Sequence, residues 1–230
     1  MPDRAVWTTD DWDEMLYTCS RTQEYLLTSL LNLKYSIERD HHHTMLRSIS
    51  SRLKSRESIE KKLVRYRFEV SAASACQNLH DIIGLRVILS YIDDIYSLVD
   101  ALSTIENYQI LEIKDYIKHP KKTGYRSLHV IGRCDATNGR PVLCEIQLRT
   151  TAMDSWAALE HQLRYKKDLP DSDYVNRELL ECAKMLNETD IKMQQIHRYL
   201  DVQNQKESAA PESKRTSESR KTTRSSKAKS

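Results

Sequence analysis

Two carboxylates and a group of cations stand out by residue type and place. Glu145 sits in "LCEIQLR" between Cys144 and Ile146, where a charge is costly unless it is paired or bound to a metal. Asp81 lies just ahead of the apolar run "GLRVILSY". Arg52, Lys54, Ser58, Lys62 and Arg65 fall in one short stretch, "RLKSRESIEKKLVR". The glycines, at 84, 124, 132 and 139, form no glycine-rich loop. A bound polyphosphate would therefore need side-chain cations where a P-loop offers backbone amides. Magnesium takes only one or two protein carboxylates and completes its octahedron with water and phosphate oxygens, so Asp81 and Glu145 would suffice to hold it. Plainer readings stand beside these: Asp81 as a cap or turn residue, Glu145 as the partner of an arginine, the cations as a solvated face.

The elements that must position these groups are read from periodicity. Alternation predicts short strands over 49–54, 84–91, 108–117, 125–133 and 141–149. In the last, Cys144, Ile146 and Leu148 share one face and Glu145, Gln147 and Arg149 the other. In "YRSLHV", Leu128 and Val130 oppose Tyr125, Ser127 and His129; in "GLRVIL", Arg86 lies opposite Leu85, Val87 and Leu89. A solvated outer face produces the same pattern. Three strands contributing such chemically able side chains also fit a shared cleft. Gly124-Tyr125 places an aromatic on a turn, which suits a platform for a planar ring. Asn138-Gly139 marks a second turn.

Helical spacing covers 10–40, with Trp12, Met15, Cys19, Leu26 and Leu30 in register and Asp10 or Asp11 as cap. A second helix spans 56–69 behind an N-cap at Ser55, with Ile59, Leu63 and Tyr66 as its apolar face. Further helices cover 93–105, 150–167 and 171–203, the last two separated at Leu169-Pro170. On the fourth, Asp154, Ala158, His161 and Tyr165 share a face, with Trp156, Leu159 and Leu163 as the buried stripe. The expected fold is α+β: a five-stranded mixed sheet with flanking helices and long N- and C-terminal helices. The expected organisation is one domain over 1–203, with its core at 45–167, and a disordered tail over 204–230.

The composition, with 30% charged residues and a net charge of +3, reads as soluble and globular, with no apolar run that spans a bilayer. Five scattered cysteines without a CxxC pair read as reduced thiols, and the N-terminus lacks a signal peptide, so the expected location is the cytoplasm. Residues 203–230 hold eight Lys/Arg against three Glu and are poor in apolar residues, which predicts a basic extension with a possible RNA contact.

The runs "SRLKSRESIEKKLVR", "HDIIGLRVI", "DYIKHPKKTGYRSLHV" and "EIQLRTTAMDSWAALEH" resemble, in order, the synthetase motifs of RelA/SpoT-type alarmone synthetases. The resemblance, over about 45–167, is to the small single-domain members and implies a fold akin to the nucleotidyltransferase fold of DNA polymerase β. It implies transfer of pyrophosphate from ATP to the 3′-hydroxyl of GTP or GDP, with release of AMP. By the same resemblance Arg52, Lys54, Ser58, Lys62, Arg65 and Arg86 bind ATP, with Arg52 against adenine. Asp81 and Glu145 hold Mg²⁺, and Glu145 acts on the 3′-hydroxyl. Tyr125 stacks on guanine; Lys118, Lys121 and Lys122 hold the acceptor's phosphates; His129, Gln147, Arg149, Asp154 and His161 line the acceptor side. The terminal helices imply a homotetramer. "HHHTMLRSIS" does not resemble the segment that binds the allosteric product, and Ser51 stands where relatives often carry Gly. Two alternatives remain: a relative that modifies tRNA 3′ ends or makes adenine alarmones, and an inactive nucleotide- or RNA-binding regulator.

Overall fold

Asp11 opens the first helix by accepting, through Oδ1, the N–H groups of Asp13 and Glu14, both at 3.0 Å. That satisfies donors a helix start leaves without partners. The computed structural model describes residues 11–41, 44–135, 140–164 and 172–209. Helix α1 (Trp12–His41) leads into β1 (Leu46–Leu53), α2 (Arg56–Tyr66), α3 (Ala72–Asn78), β2 (Ile83–Leu89) and α4 (Ile92–Leu102). Then follow β3 (Tyr108–Asp115), β4 (Leu128–Cys134), β5 (Val142–Thr150), α5 (Thr151–Arg164) and α6 (Ser172–Ala209).

The five strands form the expected mixed sheet in the order β1-β2-β5-β4-β3, in which only β2 and β5 run parallel. Its apolar face carries Leu85, Val87, Cys144, Ile146 and Leu148 into one core with Met15 and Leu26 of α1, Ala75 of α3 and Leu98 of α4. Each such large side chain contributes about 1.5–3 kcal/mol on burial, which fixes the register of both central strands. The opposite face is left to the polar side chains. No helix of the described residues is long and apolar enough to cross a membrane.

Several expectations need correction. β1 starts at Leu46 and ends at Leu53, so Lys54 follows the strand. β4 starts at Leu128, so Tyr125 and Ser127 belong to the approach to it. α2 ends at Tyr66 because Arg67 turns left-handed (φ 60°, ψ 33°) and its N–H bonds back to Leu63 and Val64. Tyr66 is exposed, whereas Ile59 and Leu63 are buried as expected. Trp156 is buried, but Leu159 and Leu163 are exposed, because nothing among the described residues covers that flank of α5. α3 has no counterpart in the sequence reading: its small residues show no apolar period. Ser71 capping the Ser74 N–H was its one signal. α6 runs past 203 to Ala209. The Asn138-Gly139 turn, Tyr165, the Leu169-Pro170 break and the basic tail beyond Ala209 lie outside the described residues.

The chain divides by its contacts after Asp190. The described part of the second unit is the end of α6, where His197 Nδ1 lies 2.8 Å from Asp201.

Candidate active site

Register sets two rows of side chains across the polar face. One runs Arg52, Gly84, Glu145, Ile131, Glu112; the other runs Ser50, Arg86, Gln147, His129, Lys114. Gly84 matters to the first row. A Cβ there would lie 3.4 Å from both Cγ and Nε of Arg52, so the bare backbone of β2 lets that guanidinium lie across the strand. A hollow of about 120 Å³ opens here, lined by Ser50, Arg52, Gly84, Arg86, Glu145 and Gln147.

Asp81 leads into β2 and is clamped by two ammonium groups. Lys54 Nζ donates to Oδ2 at 2.6 Å and Lys62 Nζ to Oδ1 at 2.7 Å. Burial opposes ionisation, but the two lysines hold the carboxyl below its usual range. Glu145 stands at mid-strand in β5. Burial works against its charge; His129 and Gln147 more than offset it, although Asp81 pushes the other way, and the carboxyl titrates low. That Asp81 acts on Glu145 at all shows how near the two charges lie. Both line one cavity of about 380 Å³, together with Lys62, Tyr66, His80 and Lys114. Among the described residues no three His, Cys, Asp or Glu side chains form a metal cluster. A metal ion here would rest on these two ionised carboxylates and on oxygens from outside the protein, a donor set that suits Mg²⁺.

From Glu145 a hydrogen-bonded chain runs along the face. His129 Nδ1 lies 2.8 Å from Glu145 Oε1, and His129 Nε2 lies 2.7 Å from the Tyr125 hydroxyl. Arg149 Nη2 donates to that hydroxyl at 2.8 Å and to Gln147 Oε1 at 3.1 Å, while Gln147 Nε2 donates to Glu145 Oε2 at 2.9 Å. Arg149 Nη1 donates to Asp154 at 2.8 Å, and Arg86 approaches the same carboxylate at 3.5 Å. A proton on Nδ1 of His129 and the Tyr125 hydroxyl donating to Nε2 give each of these bonds one donor and one acceptor, while Arg149 Nε is left without a partner among the described residues.

The Gly124-Tyr125 turn is present as expected, with Gly124 at φ 91°. Its ring is half-buried. Tyr116 and His129 meet it edge-on at 6.1 and 5.8 Å, and the Lys121 ammonium lies 4.9 Å over it and 4.7 Å over Tyr116.

The structure thus brings together Arg52, Lys54, Lys62, Asp81, Arg86, Lys121, Tyr125, His129, Glu145, Gln147, Arg149 and Asp154. It leaves others at the margin. Arg65 is exposed, 6.0 Å over Tyr66. Ser58 accepts from Ser55 Oγ at 2.9 Å at the start of α2. Lys118 lies over Tyr96 at 4.8 Å, and Lys122 is exposed. His161 is exposed two turns beyond Asp154, about 10 Å along α5. Sequence reasoning missed Lys114 and Tyr116. Carrying the alternation of β3 across to His129 would have found Lys114; nothing in the sequence marks Tyr116 as the edge-on neighbour of two rings.

Residues 51–169 match the family described as the region found in RelA / SpoT proteins. The chain is 38% identical over 197 residues to the GTP pyrophosphokinase YwaC of Bacillus subtilis, covering 84% of this chain and 93% of that one. Its structure is similar to that of a GTP pyrophosphokinase family protein from Streptococcus pneumoniae, with a TM-score of 0.73 at 32% identity, covering 89% of this chain and 100% of the other. It is also similar to small alarmone synthetase 1 of Bacillus subtilis bound to its product pppGpp, with a TM-score of 0.71 at 27% identity, covering 83% of this chain and 98% of the other. The same synthetase bound to AMPCPP gives a TM-score of 0.65 at 26% identity, over 82% and 97% of the two chains.

Proposed function

This chain belongs to the family defined by the region found in RelA / SpoT proteins, and from that premise we propose that it is a GTP pyrophosphokinase. It transfers the terminal pyrophosphoryl group of ATP to the 3′-hydroxyl of GTP or GDP and releases AMP. The observation that carries the reading is the pair of ionised carboxylates, Asp81 and Glu145, on one cavity with Lys62.

The roles follow from charge and position. Arg52 and Arg86 border the hollow that takes the adenosine of the donor. Lys54 and Lys62 face its phosphates, trading part of their hold on Asp81 for the incoming oxygens. Tyr125, Lys121 and Arg149 form the acceptor end, and the hydrogen-bonded chain through His129 sets where Glu145 points. Both substrates are polyanions, so neutralisation and in-line placement supply most of the stabilisation. A carboxylate that titrates low is a weak base. Glu145 therefore holds the 3′-hydroxyl by a hydrogen bond and takes its proton only as the new O–P bond forms. Asp81 and Glu145 would hold Mg²⁺, which neutralises phosphate charge when bound. The same reading extends to a cytoplasmic homotetramer, and light scattering on the purified chain checks the assembly.

The test is a transfer assay with ATP labelled in its β,γ-phosphates and GTP, GDP, ATP or tRNA as acceptor. AMP and a guanosine 3′-pyrophosphate product in equal amounts are expected. Label on tRNA or adenosine nucleotides alone would replace the acceptor class, and no transfer at all would leave the inactive regulator.

A further inference from the structure

We infer that α6 is the seat of the acceptor turn: Leu180 and Ala183, with Trp156 of α5, hold Gly124-Tyr125 in the pose that receives the guanine ring. They are positioning residues, setting affinity for the acceptor without touching it. The inference rests on the reading of Tyr125 as the acceptor platform.

Gly124 is a turn glycine, yet it is buried. A Cβ at this position would lie 2.6 Å from Cβ of Ala183 and 3.2 Å from Cδ1 of Leu180, so the turn is pressed against α6, with no room for a side chain. Positive φ and close approach both demand glycine here. Beside it lies a second, smaller core, built from Trp156, Leu179 and Ala183 with Tyr125, Val175 and Leu186 packed on it, separate from the core beneath the sheet. The Trp156 ring is 6.5 Å from Tyr125, and its Nε1 donates to the Leu179 carbonyl at 2.9 Å, a buried bond that ties α5 to α6. Thr150 Oγ1 donates to Asp190 at 2.5 Å, a second tie between the end of β5 and α6. The space left between Gly124, Trp156, Ala183 and Leu186 is only about 10 Å³, close to the least that a single water needs.

Tyr125 therefore has an apolar side fixed by α5 and α6 and a polar side occupied by Lys121 and Arg149. With the turn ordered during folding, guanine binding need not order it. The donor residues Arg52, Lys54 and Lys62 belong to β1, α2 and the segment joining them. A disturbance at α6 should therefore separate the two substrates.

The experiment uses the full chain with Ala183→Val, which adds two methyl groups against Gly124, Trp156→Phe, which keeps a ring but removes the bond to Leu179, and Met185→Ala as an exposed control on α6. KM for GTP and for ATP, kcat, thermal midpoint and hydrogen exchange of residues 121–125 are measured. Ala183→Val is expected to raise KM for GTP about tenfold, with kcat and KM for ATP within about twofold, and to speed exchange of the turn. Should Ala183→Val melt too low to assay, Trp156→Phe carries the test, with about a threefold rise in KM for GTP. Met185→Ala should change nothing. Unchanged exchange of the turn, or equal rises in KM for both nucleotides, would overturn the inference. Absence of guanine transfer in the unaltered chain would instead sink the proposed function, and the exchange measurement would still decide whether α6 seats the turn.

Discussion

Replacing Glu145 by Gln changes one oxygen to an amide nitrogen at the head of a chain of hydrogen bonds. Glu145 is its acceptor-only member: His129 reaches one oxygen at 2.8 Å and Gln147 Nε2 the other at 2.9 Å. If the new NH₂ faces His129, the imidazole must move its proton to Nε2. The Tyr125 hydroxyl, already accepting from Arg149 at 2.8 Å, then loses the acceptor for its own proton. If the NH₂ faces Gln147, that amide must flip and present its own NH₂ to Arg149, which now donates to its oxygen at 3.1 Å. Either way one bond is lost, about 1 kcal/mol, which lowers the thermal midpoint by roughly 2–4 °C for a chain of this size. The chemical effect is larger. Losing the proton acceptor should reduce kcat by about 10²–10⁴-fold. KM for ATP should change far less than kcat, because Arg52, Lys54 and Lys62 are untouched. AMP and product would be quantified chromatographically, alongside a melt followed by circular dichroism. A kcat within tenfold of the unaltered chain would refute the assignment of Glu145.

Tyr125→Ala removes the stacking ring and should raise KM for guanine nucleotides about ten- to hundredfold, with KM for ATP unchanged, in initial-rate measurements. Asp81 titrates low when folded, so the unfolded chain binds its proton first on acidification. Its stabilisation is present above the unfolded value of about 3.9 and is lost as pH falls through the folded value. Urea midpoints at pH 7 and pH 3 should therefore differ less in Asp81→Asn than in the unaltered chain. Gly132→Ala would place a Cβ 2.3 Å from the Tyr108 hydroxyl and should destabilise by about 1–3 kcal/mol in urea melts.

Much of the site was legible because β5 is a central strand. With neighbours on both sides, its alternation alone assigned Glu145, Gln147 and Arg149 to one face. Tyr125 was misread by the same logic. Tyr125 precedes β4, whose ladder begins at Leu128, and its long side chain reaches forward until the hydroxyl meets His129 Nε2 at 2.7 Å, which completes the hydrogen-bonded chain. Helical periodicity correctly buried Trp156 but not Leu159 or Leu163, because period names a face without naming what covers it. The closeness of Gly124 to Ala183 is a contact between residues far apart in sequence, both small, and neither carries a local signal.

The pairing of β5 with β2 and β4 has one further consequence. Glu145 shares its face with Gln147 and Arg149 because they stand two and four positions further along the strand, while Cys144 and Ile146 answer to the oily side. A single inserted residue between Val142 and Glu145 would exchange those sets and send the carboxylate into the interior, with no side chain altered. A substitution along β5 changes one side chain at a time, whereas a one-residue change in its length turns over every side chain beyond it: what the strand must keep is parity.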